Sequence, residues 1–144
     1  QILDVFAQSK ASGRPVFVPY VMAGFPNVTD TVPALLGLQE GGADIIEVGV
    51  PFTDPLADGP TIQAANFKAV ENGVTFTATL GLIKQARGAG LTVPIVLMGY
   101  YNPFLMQGEE CAIKAAKEAG ANAFIVVDLP PDESGEFRAI CERA

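Results

Sequence analysis

Histidine and tryptophan are absent from this 144-residue chain, and cysteine occurs only twice. Without histidine, acid–base chemistry must use carboxylates or tyrosine, and the common histidine-based metal sites are excluded. We therefore expect no metal site. Cys111 and Cys141 lie in segments with helical periodicity, where buried, reduced thiols of a cytosolic protein are the usual finding. A cytoplasmic location is the corresponding expectation.

Basic residues and long apolar runs are also scarce. Nine Lys and Arg stand against sixteen Asp and Glu, a net charge of −7, and the basic residues are scattered. This balance argues against a nucleic-acid partner. No apolar run approaches the roughly 20 residues of a membrane span, and no signal-peptide pattern opens the chain, so no membrane partner is expected. The chain begins at Gln1 rather than Met, which suggests that its start is cut.

Hydrophobic residues make up 49% of the sequence, enough for a sizeable core. Strand-like apolar runs recur at 16–23, 44–50, 93–99 and 123–129, and each is followed by sequence with helical periodicity. Strands that alternate with helices at this spacing predict βαβ units with a parallel sheet and right-handed crossovers.

Six helices are predicted, and they cover 1–11, 28–41, 61–72, 77–89, 109–119 and 133–143. The second of them is expected to begin with Asn27 or Thr29 as its cap. Two architectures remain open at this point, a doubly wound sheet and a (β/α)₈ barrel. The glycine-rich motifs of nucleotide-binding doubly wound folds are absent, and the unusual polar residues lie after strands, which favours the barrel.

A carboxylate stands inside the second predicted strand. In residues 44–50, Ile45, Glu47 and Gly49 share one face, and the apolar Ile46, Val48 and Val50 share the other. A strand that is apolar on both faces belongs in a parallel sheet covered by helices. Burying an unpaired carboxylate there costs several kcal/mol or raises its pKa, and such positions are often functional. Glu47 is therefore the first candidate catalytic residue, with a structural ion pair as the alternative.

The loop after this strand carries two more carboxylates between prolines. Asp58 precedes Gly59 and Pro60, so it is either a functional carboxylate or the N-cap of the next helix. Asp54 and Pro55 form a pair that is also common in simple turns. The spacing of these residues alone does not decide between the two interpretations.

The segment Glu47–Gln63, with the sequence EVGVPFTDPLADGPTIQ, resembles the signature of the tryptophan synthase α family. The resemblance extends over essentially all 144 residues, and further matching motifs lie at 19–26, 72–75, 98–103 and 127–131. The motifs GYYNP and DLPP are more similar to eukaryotic, fungal members, in which the α and β activities share one polypeptide. The resemblance implies a (β/α)₈ (TIM) barrel, of which four βα units are the N-terminal half.

The α reaction of this family cleaves indole-3-glycerol phosphate to indole and glyceraldehyde 3-phosphate. The resemblance implies that Glu47 is the acid–base group at the indole C3 and the glycerol hydroxyl, and that Asp58 pairs with the indole N–H. It also implies that Tyr20, Tyr100 and Asn102 line the substrate pocket at the ends of their strands; core aromatic residues and a turn asparagine are the alternatives.

The resemblance further implies that Asp54 and Pro55 contact a tryptophan synthase β subunit or a fused β domain. The α reaction needs no cofactor, and pyridoxal phosphate is expected only in the β partner. Two other functions stay open, a stand-alone lyase that releases free indole and a half-barrel that only binds a partner. The sequence does not assign Asp128 to the pocket or to a supporting network.

Length is the main departure from the family. A complete barrel needs about 250 residues, and its phosphate site is commonly built after strands seven and eight. Since the chain stops at Ala144, we expect residues 1–144 to be a partial barrel domain without its phosphate-binding loops, and to be inactive alone.

Overall fold

The computed structural model describes all of residues 1–144. Its four strands are β1 (Tyr20–Met22), β2 (Ile46–Gly49), β3 (Ile95–Gly99) and β4 (Ala123–Val126). They form one sheet in the order β1-β2-β3-β4, and every neighbouring pair is parallel. The predicted parallel sheet is confirmed, and each predicted run contains one strand.

The chain has seven α-helices. They are α1 (Ile2–Ser12), α2 (Thr31–Glu40), α3 (Pro60–Glu71), α4 (Phe76–Gly88), α5 (Tyr101–Gln107), α6 (Glu109–Ala119) and α7 (Gly135–Arg143). The six predicted helices are all present, but α5 was not predicted. It begins directly after β3, and its Pro103 lies in the first turn, where proline is tolerated because the backbone N–H has no partner within the helix.

The strands are shorter than the apolar runs that contain them. Residues 16–19 precede β1 without regular structure, and Pro19 there lacks an N–H for a ladder. Their carbonyls still pair with the next strand, since Asp44 N donates to Phe17 O at 3.0 Å and Glu47 N to Pro19 O at 2.9 Å. The extended pairing therefore begins before β1 does.

The predicted cap of the second helix is wrong. A 3₁₀ turn, Val28–Asp30, precedes α2, and neither Asn27 nor Thr29 caps the helix. Asn27 instead donates its side-chain N–H to Asp30 Oδ2 at 2.8 Å. The 3₁₀ turn displaces the start of α2, so Asn27 lies too far from its first turn.

One face of the sheet packs against the helices. Its central side chains are Ile46, Val48, Ile95 and Leu97, each with none of its surface exposed, and they belong to a cluster of 22 buried residues. Helices α2, α4, α6 and α7 pack against one another in chain order. Sequential strands with one layer of consecutive helices are half of a (β/α) barrel, and a doubly wound sheet is excluded because its strand order reverses.

The opposite face, called here the inner face, carries two rows of side chains across the four strands. In strand order, the rows are Tyr20, Glu47, Val96 and Ala123, and Met22, Gly49, Met98 and Ile125. Glu47 thus points away from the helices, as the alternation predicts. Ile125 on β4 is 43% exposed, so this face is only partly covered.

The two outer strands each have one free edge. A cavity of about 1070 Å³ follows the edge of β4 and is lined by Phe124, Val126 and Phe137 among others. Helix α1 buries no residue, and its Leu3 is 82% exposed. No helix is both long and apolar enough to span a membrane.

The prediction of buried cysteines is wrong. Cys111 is exposed and Cys141 is half-buried, and both thiols are free. Cys111 follows Glu109 and Glu110 on the outward side of α6, whereas Cys141 packs against the edge of the core.

Candidate active site

Glu47 lies on the inner face, in register with Tyr20 on one side and Val96 on the other. The three ion pairs of the structure do not include it, so residues 1–144 supply no ion-pair partner for Glu47. Burial raises the pKa of its carboxyl above the usual range. A carboxyl that holds its proton more readily is suited to acid–base catalysis near neutral pH.

Tyr20 lies beside Glu47 and places its hydroxyl over Gly49. The only partner of the hydroxyl is Met22 Sδ, 3.9 Å away, and a thioether is a weak acceptor. Burial raises the pKa of this phenol, and the carboxylates of Asp58 and then Glu47 raise it further. Tyr20 therefore stays protonated, with a hydroxyl that both carboxylates influence.

The β2–α3 loop, residues 50–59, is held against helix α3 and the sheet. Val50 N donates to Met98 O at 2.8 Å. The side chain of Gln63, in the first turn of α3, donates to Pro55 O at 3.2 Å and to Asp58 O at 2.9 Å. These bonds hold the loop backbone at Pro55 and at Asp58.

Tyr100 connects this loop to the end of β3. Its ring stacks on Phe52, with centroids 5.0 Å apart and planes inclined by 26°. Its Oη accepts the Ala57 N–H at 2.9 Å. Burial raises the pKa of the Tyr100 hydroxyl, and the neighbouring Asp58 carboxylate contributes to the rise. Asp58 is thereby placed next to a hydroxyl at the inner side of the loop.

Asp58 is not a helix cap. The N-cap of α3 is Gly59, and Pro60 is the first helical residue. The capping interpretation is wrong because the helix starts one residue later than a cap at Asp58 requires. The half-buried Asp58 carboxylate remains available on the side of Tyr20 and Tyr100.

The structure brings together four of the predicted residues, because Asp58, Glu47 and Tyr100 all lie close enough to Tyr20 to raise the pKa of its hydroxyl. Asn102 is not part of this cluster, since it is exposed in the first turn of α5. The expectation that Tyr20 and Asn102 end their strands is wrong, because Tyr20 opens β1 and α5 begins before Asn102. Tyr100 follows β3 directly, as predicted.

The two residues predicted to contact a partner differ in exposure. Asp54 is exposed, and its carbonyl accepts the Leu56 N–H at 2.9 Å. Pro55 is buried, whereas Leu56 is 82% exposed. The Asp54–Pro55 pair does introduce a turn, and the outward groups of that turn are Asp54 and Leu56.

Asp128 belongs to a supporting network. Its Oδ1 accepts the Tyr101 N–H at 2.7 Å, at the first turn of α5. The Tyr101 hydroxyl donates to Glu109 Oε1 at 2.7 Å, and this carboxylate is the main cause that raises the pKa of Tyr101 to about 12. These bonds fix α5 between β4 and α6.

Sequence reasoning missed the side chains that hold the loops. Asn66 binds both backbone groups of Phe52, and Asn72 donates to Gly24 O at 2.8 Å and to Pro26 O at 2.9 Å. The sequence did contain a signal that Asn66 is buried, because Asn66 lies on the same helical stripe as the apolar Ile62 and Ala69. No group of three or more His, Cys, Asp and Glu side chains is placed to hold a metal ion.

The fold and the cluster define a class, the (β/α)-barrel proteins, with the cluster on the inner face next to the loop that follows β2. The family model for the tryptophan synthase alpha chain matches residues 6–144. The chain belongs to the tryptophan synthase alpha chain family.

Known relatives agree with this assignment. The tryptophan synthase of Saccharomyces cerevisiae is 56% identical over 138 residues, which are 96% of this chain and 20% of the yeast protein. The solved alpha subunit of Legionella pneumophila str. Paris superposes with a TM-score of 0.95 at 35% identity, over 99% of this chain and 54% of that one. The aminoacrylate-bound form of tryptophan synthase from M. tuberculosis has a TM-score of 0.90 at 38% identity, over 97% of this chain and 56% of that one.

This chain therefore spans a fifth of the yeast relative and about half of the solved structures. The half-barrel assignment is confirmed by that coverage together with the sequential strand order.

Proposed function

We propose that this chain supplies the acid–base residues for the α reaction of tryptophan biosynthesis, the cleavage of indole-3-glycerol phosphate to indole and glyceraldehyde 3-phosphate. The observation that carries the proposal is that the Glu47 carboxylate on the inner face and the Asp58 carboxylate in the loop after β2 both lie near the Tyr20 hydroxyl. Membership of the tryptophan synthase alpha chain family supplies the reaction.

The chemistry needs two carboxylates in different environments. Protonated Glu47 gives its proton to the indole C3, and Asp58 stabilises the resulting indolenine cation by accepting the indole N–H. Glu47 takes the proton of the glycerol hydroxyl, the bond between C3 and the glycerol carbon breaks, and its electron pair returns to the ring. The hydroxyl carbon becomes the aldehyde, so atoms and electrons balance without water or an oxidant.

The environments of the two carboxylates match these roles. Burial raises the pKa of Glu47, which suits a group that gives and takes a proton. Asp58 lies on a loop next to the Tyr100 hydroxyl, where a carboxylate can meet a developing positive charge. The two side chains can supply both proton transfers, so the proposal includes no cofactor for the α reaction, with pyridoxal phosphate confined to the β partner.

The test is turnover of Glu47→Gln and Asp58→Asn in the full-length protein. Each substitution keeps the shape and removes the ionisable group, so turnover should fall by about 10²–10⁴-fold. Circular dichroism should show unchanged folding. Glu40→Gln, at an exposed carboxylate on α2, is the matched control and should keep full turnover. Either active-site variant with more than half of the wild-type turnover would disprove the role of that residue.

We also propose a partner, a tryptophan synthase β subunit or β domain, that contacts the β2–α3 loop at the turn formed by Asp54 and Pro55, where Asp54 is exposed and Pro55 is buried. The exposed Asp54 and Leu56 support this, since they offer a charge and an apolar side chain at one turn. Asp54→Ala should weaken stimulation by the β partner more than it lowers isolated α turnover. Equal losses in both assays would make the loop catalytic only. The two free thiols are compatible with the proposed cytoplasmic location.

A further inference from the structure

Asn66 is a buried amide in the middle of α3 with both of its polar groups committed to one residue. Only 1% of its surface is exposed. Its Oδ1 accepts the Phe52 N–H at 2.8 Å, and its Nδ2 donates to Phe52 O at 2.6 Å. The side chain thus pairs with Phe52 as a neighbouring strand would, although no strand lies there.

This contact fixes the first part of the β2–α3 loop. Phe52 comes three residues after the end of β2, where the chain leaves the sheet and loses its ladder partners. Buried backbone groups without partners cost about 1–3 kcal/mol each. A carboxamide satisfies both groups at once, because it has a donor and an acceptor side by side.

A short series of contacts leads from Phe52 to Asp58. The Phe52 ring stacks on Tyr100, and the Tyr100 Oη holds the Ala57 N–H. Asp58 follows Ala57, and its carboxylate lies beside the same hydroxyl. If Phe52 moves, the plane of Tyr100 loses its support, and the backbone next to Asp58 loses its acceptor.

We propose that Asn66 is a positioning residue for Asp58. It does not reach the substrate; it acts by holding Phe52, which orients Tyr100, which in turn sets the position of the Asp58 carboxylate. The inference rests on the proposed function, because it gives Asn66 a catalytic effect only through Asp58.

A purely structural role for Asn66 predicts something different. Loss of the amide would then lower stability and reduce turnover by the same factor whatever residue stands at position 58. A positioning role predicts that the effects of the substitutions at positions 66 and 58 are coupled. Loss of the Asn66 amide cannot misplace a carboxylate that has already been removed. Double-mutant analysis separates the two cases.

The experiment measures single-turnover indole release by the full-length protein for wild type, Asn66→Ala, Asp58→Asn and the double variant. Misplacement by about 1 Å can cost about 100-fold, so Asn66→Ala is expected to lower the rate about 10- to 100-fold. In the Asp58→Asn background the same change should cost less than about 2-fold, which is the non-additivity expected of residues that act as a unit. Rates are taken per folded protein at a temperature where each variant is native.

Hydrogen exchange provides a readout independent of catalysis. The Ala57 N–H should exchange faster in Asn66→Ala than in wild type, because its acceptor on Tyr100 is no longer held. Asn122→Ala is the matched control, since Asn122 Oδ1 accepts the Ile95 N–H at 2.8 Å at the opposite end of the strands. It should lower stability without affecting the exchange of Ala57 or the turnover.

Three results would overturn the inference. Turnover of Asn66→Ala within 2-fold of wild type, or equal losses in both backgrounds, would remove the positioning role while leaving the proposed function intact. Full turnover of Asp58→Asn would remove the proposed function, and the inference with it. If Asn66→Ala does not fold, Asn66→Ser retains a hydroxyl for one Phe52 group, and the same comparisons decide with that variant.

Discussion

The phenol of Tyr20 lies directly over Gly49, with its Cζ 2.8 Å from the point where a β-carbon on residue 49 would stand. Real β-carbons do not approach other heavy atoms so closely. The absence of a side chain at position 49 is therefore what allows Tyr20 to extend across β2 toward the two carboxylates. A glycine in a strand often marks such a close approach.

Gly49→Ala is expected to destabilise the full-length protein by about 1–3 kcal/mol, as overpacking of a filled site does, and to lower turnover by displacing Tyr20. Urea unfolding measures the first effect. The same substitution in a Tyr20→Ala background should cost much less, because the clashing ring is gone. Equal destabilisation in both backgrounds would show that the ring is not the obstacle.

Tyr20→Phe tests the hydroxyl alone. The only hydrogen-bond partner of the Tyr20 hydroxyl is the distant thioether of Met22, so the stability of the protein should change little. A hydroxyl without a strong partner is free to bind substrate, and a lost hydrogen bond of about 0.5–1.5 kcal/mol corresponds to a KM about 2- to 10-fold higher. Steady-state kinetics with indole-3-glycerol phosphate provides the measurement. Tyr101→Phe, outside the cluster, should leave KM unchanged; an unchanged KM for Tyr20→Phe would exclude substrate contact by the hydroxyl.

Glu47→Gln is expected to stabilise the protein near neutral pH and to lose this advantage in acid. Burial raises the pKa of the Glu47 carboxyl in the folded state. Below the unfolded-state pKa the carboxyl is protonated in both states, so the stability of the folded state is complete. As the pH rises through the folded-state pKa, the half-buried carboxyl has to ionise and that stability is lost. A glutamine at this position does not ionise, so the variant does not lose stability as the pH rises. The gain should be below about 1 kcal/mol because the carboxylate is partly solvated. Thermal unfolding at pH 7 and pH 4 checks this; an equal gain at both pH values would contradict it.

Arg87→Ala should destabilise the protein by about 2–4 kcal/mol without lowering turnover per folded molecule. The guanidinium donates to the carbonyls of Leu91, Val93 and Gly120 and to Asn122 Oδ1. These acceptors lie before β3 and β4, at the end of the sheet away from Asp58. Arg87→Lys should not restore stability, because a lysine lacks the planar fork. Chemical denaturation with parallel kinetics tests both statements.

Residues 1–144 expressed alone are expected to self-associate and to cleave indole-3-glycerol phosphate at no detectable rate. Both outer strands have unpaired edges, and the cavity beside β4 and the exposed Ile125 leave apolar surface open. Sedimentation velocity and an indole assay measure the two properties. A stable monomer that releases indole near the full-length rate would refute the prediction.

The strands and the orientation of Glu47 could be predicted because they depend on local pattern. Four apolar runs predict four strands, and period-two alternation places Glu47 opposite Ile46 and Val48. The sequential order of the strands follows once the βα spacing and the motif positions favour a barrel over a doubly wound sheet.

The contacts that hold the site could not be predicted in the same way. Asn66 lies 14 residues from Phe52, and only the folded chain brings the two together. Helix α5 was missed because the Tyr-Asn-Pro sequence after β3 is typical of a turn, and only the hydrogen bond that the Tyr101 N–H donates to Asp128 Oδ1 shows how the first turn of a helix is held there. Tyr20 was placed at the wrong end of β1 because Pro19 shortens that strand.

The order β1-β2-β3-β4 has a consequence for synthesis of the protein on the ribosome. Every strand pairs with the strand that precedes it along the chain, so no hydrogen bond within this sheet requires a residue made after Ala144. Helices α2, α4, α6 and α7 also pack in order of synthesis. The helix-covered core of residues 1–144 can therefore form in the order of synthesis, since none of its strand pairs has to wait for a later segment.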